Sequence, residues 1–198
     1  MKKVRIALLG LGNVGRGVWT ILKENKEEIM KRSGYEVEVA KVLVRDLYKQ
    51  RGVEVPDDIL TSDYEDILND DSIKIVVELM GGVEPAKTYM LKAMEKHKHI
   101  VTANKMLLAT GGDEVFAKAD EIGVMFQYEA SVAGGIPIIN GINESLTVNK
   151  INKLYGIVNG TTNYILSKME LDNLDFYFPS HKLSSVQSLS RVRLFATP

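Results

Sequence analysis

Apolar positions recur along this chain in two rhythms. Residues 4–9 form a short, mostly apolar run interrupted only by Arg5, the pattern of a strand buried on both faces of a parallel sheet. From residue 14 the spacing becomes helical. Val14, Val18, Ile21, Leu22 and Ile29 share one face, Lys and Glu take the rest, and Gly34 ends the stretch. Residues 37–44 predict a second strand and 45–58 a polar loop. Asp63 is placed to cap a short helix over 64–68. A third strand is expected at 73–79, and a helix from Glu84-Pro85 to about Lys96, with proline near its first turn. Residues 99–102 predict a fourth strand, 103–109 and 112–122 helical segments, and 124–128 a fifth strand.

This alternation predicts an α/β fold, a doubly wound parallel sheet with helices on both faces. From Ser131 the rhythm changes. Residues 132–137 are small and flexible, 138–146 read as a helix, 152–158 alternate like a strand, and the turn at 159–163 leads into a short helix through Met169. This is the pattern of a second, incomplete α+β domain. Beyond Glu170 neither period persists and serines crowd positions 180, 184, 185, 188 and 190, so 170–198 read as a flexible tail. The expected organisation is 1–130, 131–169 and 170–198.

Composition narrows the chemistry. With 45% hydrophobic residues among 198, the chain can bury a core. Its 25 Lys and Arg offset 26 Asp and Glu, a net charge of −1 that gives no global pull toward nucleic acid or an anionic membrane. There is no Cys, which removes disulfides, a thiolate nucleophile and Cys-based zinc sites, and 3 His are thin support for a metal centre. No run is long and apolar enough to span a bilayer or serve as a secretory signal, and a soluble, cytoplasmic protein is expected.

Gly10-Leu11-Gly12-Asn13-Val14-Gly15 lies directly between the first strand and its helix, the context in which G-x-G-x-x-G holds a dinucleotide pyrophosphate on a helix N-terminus. The fold is therefore expected to be of Rossmann type, with these six residues binding NAD(P). The end of the second strand places Arg45, then Asp46, with Lys49 and Arg51 near. A guanidinium there suits the 2′-phosphate of NADP; the other reading has Asp46 on the ribose of NAD and Arg45 as a solvated charge. Gly81, in Glu78-Leu79-Met80-Gly81-Gly82, is either at the ligand crevice or only in a turn. Thr102, Asn104 and Lys105 follow the fourth strand and complete the expected cofactor-binding set. Lys105 either reaches the nicotinamide end and acts on a carbonyl substrate or is a surface lysine. Glu129, before a glycine-rich loop, is either a cation ligand or part of a plain hinge.

Together these runs, with Val-Arg-Asp (44–46), Thr-Ala-Asn-Lys (102–105), Glu-Ala-Ser-Val-Ala-Gly-Gly-Ile-Pro-Ile-Ile (129–139) and Asn-Gly-Thr-Thr-Asn-Tyr-Ile-Leu (159–166), resemble homoserine dehydrogenase. The resemblance covers residues 1 to about 169. It implies an NAD(P)-dependent oxidoreductase of threonine, methionine and isoleucine synthesis that interconverts aspartate 4-semialdehyde and homoserine. It further implies Arg45 on the 2′-phosphate, Lys105 as the catalytic residue, and a sodium ion held by Glu129 with the carbonyls of Val132, Gly134 and Ile136. Residues 159–162 would join cofactor and substrate domains, and the family dimerises through the latter. The family's later substrate carboxylates and general-acid lysine have no match after Met169, and Lys182 is not assigned that role. A truncated or chimeric frame, and a cofactor-binding fragment without catalysis, is the alternative expectation.

Overall fold

The computed structural model describes residues 2–156, 160–173 and 175. Two compact units, Met1–Asn143 and Glu144–Pro198, divide the chain. In the first, β1 (Lys2–Leu9), β2 (Tyr35–Leu43), β3 (Leu60–Thr61), β4 (Ile73–Glu78), β5 (His99–Thr102) and β6 (Phe126–Gln127) form one sheet in the order β3-β2-β1-β4-β5-β6. Every pairing is parallel. The helices are α1 (Asn13–Glu24), α2 (Lys26–Ser33), α3 (Glu65–Leu68), α4 (Ala86–Glu95), α5 (Lys105–Ile122) and α6 (Ile138–Asn140). The expected doubly wound α/β sheet is present.

The strands are apolar on both faces because both faces are used. Ala7 and Leu9 of β1 join Ile67, Met90, Met94, Leu107 and Val115 in one core, so α3, α4 and α5 cover that face. Ile6 and Leu8 point the other way, with Val42 and Val77, against Val18, Trp19 and Leu22 of α1. This period-two split of neighbouring residues is what a sheet between two layers requires.

Several expected elements differ. The helix from residue 14 breaks at Asn25 into α1 and α2, and only then stops at Gly34, whose φ of 76° is left-handed. Its buried stripe is not the expected one. Gly15, Val18, Trp19 and Leu22 face the sheet, while Val14 and Ile21 are 54% and 55% exposed. Gly15 decides this rotation, because it alone permits close approach to β1. The polar loop after β2 ends in a turn of 3₁₀ helix, Asp57–Ile59, and the two-residue β3, too short to leave a periodic signal. The two helical segments expected at 103–109 and 112–122 are present as the two halves of α5, which starts at Lys105 and breaks at the non-helical Gly111 (φ −154°, ψ 20°). The expected helix over 138–146 is the three-residue α6 followed by a wider π-type turn, Gly141–Ser145.

The first unit runs past residue 130 for a visible reason. Glu129 accepts from the backbone N–H of Ile139 at 2.9 Å on one oxygen and of Asn140 at 2.9 Å on the other, fastening 138–140 to the end of β6. In the second unit, residues 151–156 form no strand, and 157–158 lie outside the described residues. Its helix α7 (Gly160–Leu171) includes the expected one; Ile165 is buried, while Leu166 and Leu171 are exposed. Most of the expected tail, 170–198, lies outside the described residues.

At the N-terminal edge of the sheet, Arg5 lies 3.1 Å from Glu38 and 3.4 Å from Asp70. A hydrogen bond from Lys3, then one from Arg5, holds the Glu38 carboxyl below its usual range. The Ser72 hydroxyl, then the Ser72 backbone N–H and Arg5, does the same for Asp70. Carboxyls with lowered folded pKa values contribute stability above their unfolded values and lose it as pH falls through the folded ones. Urea unfolding should therefore give a level stability from about pH 5 to 7 and a decline below about pH 4. Arg5→Met, which takes a partner from both carboxylates, should lower the plateau by about 0.5–1 kcal/mol, a figure discounted for partial exposure, and make the acid decline shallower. An unchanged acid limb would contradict this assignment.

Candidate functional site

In an open parallel sheet, ligands bind outside the carboxyl ends of the strands where the strand order reverses, here between β1 and β4. The chain leaves β1 at Gly10, whose φ is 103°. The Gly10 N–H donates to the carbonyl of Leu43 at 2.9 Å, and Leu79 N–H to that of Leu9 at 2.9 Å, so the turn is pinned to β2 and β4. A Cβ on Gly15 would sit 2.3 Å from the Gly10 carbonyl oxygen, which makes that contact open only to glycine. A Cβ on Gly12 would meet nothing within 4 Å, so its backbone faces open space at the start of α1. The first N–H groups of α1 lack intrahelical acceptors by geometry and offer themselves to an anion. Leu11 is buried in the core, Val14 is exposed, and Asn13 accepts from Arg16.

The loop after β2 sorts its charges. Asp46 accepts from the Tyr48 N–H at 2.9 Å and closes a turn. Arg51 donates to the carbonyl of Lys49 at 2.7 Å and to that of Asp46. Arg16 donates to the Arg51 carbonyl at 2.9 Å and so ties the loop to α1. Arg45 is exposed and has no hydrogen-bond or ion-pair partner among the described residues.

Across the crevice, Gly81 and Gly82 both adopt left-handed φ, 73° and 76°. Thr102 and Asn104, both in the expected cofactor-binding set, are buried and turn their side chains to partners inside the protein. The Thr102 hydroxyl donates to Glu78 at 2.6 Å; the Asn104 amide donates to Glu78 at 3.4 Å and to the Gly82 carbonyl at 2.6 Å. Asn104 also accepts from the Leu107 N–H at 3.1 Å, capping α5, whose first residue is the exposed Lys105. Glu78, wholly buried at the centre of these bonds, was not among the expected site residues. Its only sequence signal is a single carboxylate closing an apolar strand ahead of a double glycine.

Glu129 lies beside this region, since Ser131 donates from its hydroxyl to the Thr102 carbonyl at 3.0 Å. Both Glu129 oxygens hold backbone N–H groups, and the Ile136 carbonyl accepts from Ile138 N–H at 2.8 Å. The carbonyls of Val132 and Gly134 accept no backbone N–H among the described residues. No group of three His, Cys, Asp or Glu is poised for a metal among the described residues. A groove of about 580 Å³ lined by Trp19, Leu22, Val37 and Pro56 lies along the middle of β2, away from the crevice.

Comparison with known proteins decides the family. Residues 10–129 match the family model of the homoserine dehydrogenase NAD binding domain, and residues 137–185 match a second family model, homoserine dehydrogenase. This chain belongs to the homoserine dehydrogenase family. Its first unit is accordingly an NAD(P)-binding domain. The chain is 47% identical over 169 residues to the homoserine dehydrogenase of Bacillus subtilis, covering 85% of this chain and 39% of that protein. It is 48% identical over 175 residues to that of Synechocystis, covering 87% and 40%. The crystal structure of a homoserine dehydrogenase from Thiobacillus denitrificans superposes with a TM-score of 0.84 at 45% identity, covering 94% of this chain and 43% of that one. The S. aureus homoserine dehydrogenase at pH 7.5 gives 0.75 at 40% identity, covering 93% and 44%. The chain thus spans about two fifths of the length of the relatives it matches. The family match runs to residue 185, past the boundary expected at 169. No helix among the described residues is long and apolar enough to cross a membrane.

The Gly10–Gly15 contact yields a direct test. Gly15→Ala should push α1 off β1, abolish dinucleotide binding and lower the melting temperature by several degrees, on the order of a 1–3 kcal/mol overpacking cost. Calorimetry and nucleotide titration check this, and unaltered binding would mean the helix does not need its present seat.

Proposed function

We propose that this chain binds NADP(H) and, with it, serves the family reaction between aspartate 4-semialdehyde and homoserine in amino-acid biosynthesis. The observation that carries the cofactor choice is the charge sorting after β2. Arg45 is uncommitted at the strand end, whereas one oxygen of Asp46, the competing ribose ligand, already accepts the Tyr48 N–H in a turn. A free guanidinium suits a 2′-phosphate; NAD, lacking that group, binds more weakly.

Gly10, Leu11, Gly12, Asn13, Val14 and Gly15 hold the pyrophosphate through backbone N–H groups and the α1 terminus. Gly81, Thr102, Asn104 and Lys105 belong to the nicotinamide end; Thr102 and Asn104 act there through the turn and cap they hold rather than by direct contact. When bound, the cofactor supplies hydride exchange with the aldehyde carbon. Lys105, exposed at the start of α5, donates a proton to the developing alkoxide oxygen, a role typically contributing about 10²- to 10⁴-fold. Sodium would be held by Glu129 and the carbonyls of Val132, Gly134 and Ile136. Oxygen donors suit such an ion in kind, and its place would be structural, at the end of β6.

Residues 1–130 act as the dinucleotide-binding domain and residues from 131 as the start of the substrate and dimerisation domain. The chain's share of its relatives favours a second reading, an NADP-binding unit without turnover, since Lys105 is the single matched catalytic residue. NADPH oxidation with aspartate 4-semialdehyde, run beside NADPH binding by fluorescence, separates the two. Oxidation supports the full reaction, binding alone supports the second reading, and absence of binding sinks both. Arg45→Asp should cut the NADPH-over-NADH preference about ten- to a hundredfold, the value of one or two charge-assisted hydrogen bonds. An unchanged ratio would remove Arg45 from the 2′-phosphate.

A further inference from the structure

A carboxylate buried without a cation is costly, and it persists only where its lone pairs are filled. Glu78 ends β4 fully buried. One oxygen accepts the Thr102 hydroxyl at 2.6 Å. The other accepts the N–H groups of Met80 at 2.8 Å and Gly81 at 3.3 Å, and the Asn104 amide at 3.4 Å. Asn104 in turn holds the Gly82 carbonyl and caps α5. One side chain thus fastens the double-glycine turn after β4 to the helix start that carries Lys105.

The polarity of these bonds is fixed. The Thr102 hydroxyl already accepts the Asn104 N–H at 3.0 Å, so its one proton belongs to Glu78. A glutamine of the same shape would face a donor with a donor. Its NH₂ would oppose either two backbone N–H groups or a hydroxyl whose proton then has no acceptor. The strand order places this cluster on the β4–β5 side of the crevice, while Gly10–Gly15 and Arg45 belong to β1 and β2.

We propose that Glu78 is a positioning residue for the nicotinamide end of the crevice. It sets the Gly81–Gly82 turn and the Lys105 end of α5 in register without touching the ligand. The proposal rests on the NADP(H) reading above. It separates the two halves of the cofactor: a disturbance at Glu78 reaches the nicotinamide half and leaves the adenosine half alone.

Titration of the full chain with NADPH and with 2′,5′-ADP, which carries only the adenosine half, tests this. Glu78→Gln should weaken NADPH about tenfold or more, as expected for leaving a buried polar group unpaired, and hold 2′,5′-ADP within about twofold. Equal loss of both ligands would mean that Glu78 only supports the fold, and no loss of either would mean that it positions nothing; both overturn the proposal. Should Glu78→Gln fail to fold, Thr102→Val removes one of the bonds and should show the same selective loss, smaller in size; a uniform loss or none overturns the proposal equally. A wild-type chain that binds neither ligand overturns the NADP(H) reading and this proposal with it. Wild-type binding with an unselective variant overturns this proposal alone.

Discussion

The backbone contact between Gly10 and Gly15 is the constraint on which the cofactor-facing part of this fold depends. With the Gly10 oxygen 2.3 Å from where a Gly15 Cβ would stand, α1 rests on the end of β1 with no side chain between them. That contact fixes the rotation of α1 about its axis. Gly15, Val18, Trp19 and Leu22, spaced i, i+3, i+4 and i+7, must then face the sheet, and Val14 and Ile21 must turn outward. It also fixes where the unsatisfied N–H groups of the first turn point. The anion site is therefore a by-product of packing. Through Arg16, which holds the Arg51 carbonyl, the same helix carries the loop that follows Arg45.

The opposite side of the crevice is built by different means. No close backbone contact locks Gly81 and Gly82, whose Cβ positions have room; hydrogen bonds shape them. Glu78, Thr102 and Asn104 form a closed polar set in which every buried side-chain polar atom among the described residues has a partner. Each such bond contributes about 1 kcal/mol net, but losing one partner costs the desolvation of the other, so the set acts as a unit. Packing fixes one half of the site rigidly. Hydrogen bonding fixes the other half specifically, and leaves it more responsive to a single polar substitution.

Much of this was legible in the sequence, for reasons that also explain the rest. The strands before residue 128, β3 excepted, could be read because burial on both faces turns them into apolar runs, and the glycine spacing could be read because the turn at Gly10 and the close contact at Gly15 call for glycine. The break at Asn25 could not, since Lys and Glu carry a helical pattern across it. The alternation at 152–156 suggested a strand, but alternation alone does not provide a neighbouring strand to pair with, and none forms there. In the site, Arg45 was legible as a position. The commitments of Thr102 and Asn104 to Glu78 were not, because hydrogen bonds across 24 and 26 residues leave no local pattern.

Charge count alone would treat Arg16, Arg45 and Arg51 as equivalent cations near an expected phosphate. Their bonds make them unequal. Arg51 spends its donors on the carbonyls of Lys49 and Asp46, and Arg16 on Asn13 and the Arg51 carbonyl. These two guanidiniums each commit two donors to the loop and the helix beside it. A guanidinium already satisfied by carbonyls must give up those bonds before it can bind a phosphate, so the exchange gains little. Arg45, under the NADP(H) reading, would exchange only water for phosphate oxygens, and its full charge-assisted bond would be available to binding. In the NADP(H) reading proposed above, selectivity for a 2′-phosphate would follow from which arginine the loop leaves unspent, with one oxygen of the neighbouring Asp46 already accepting the Tyr48 N–H.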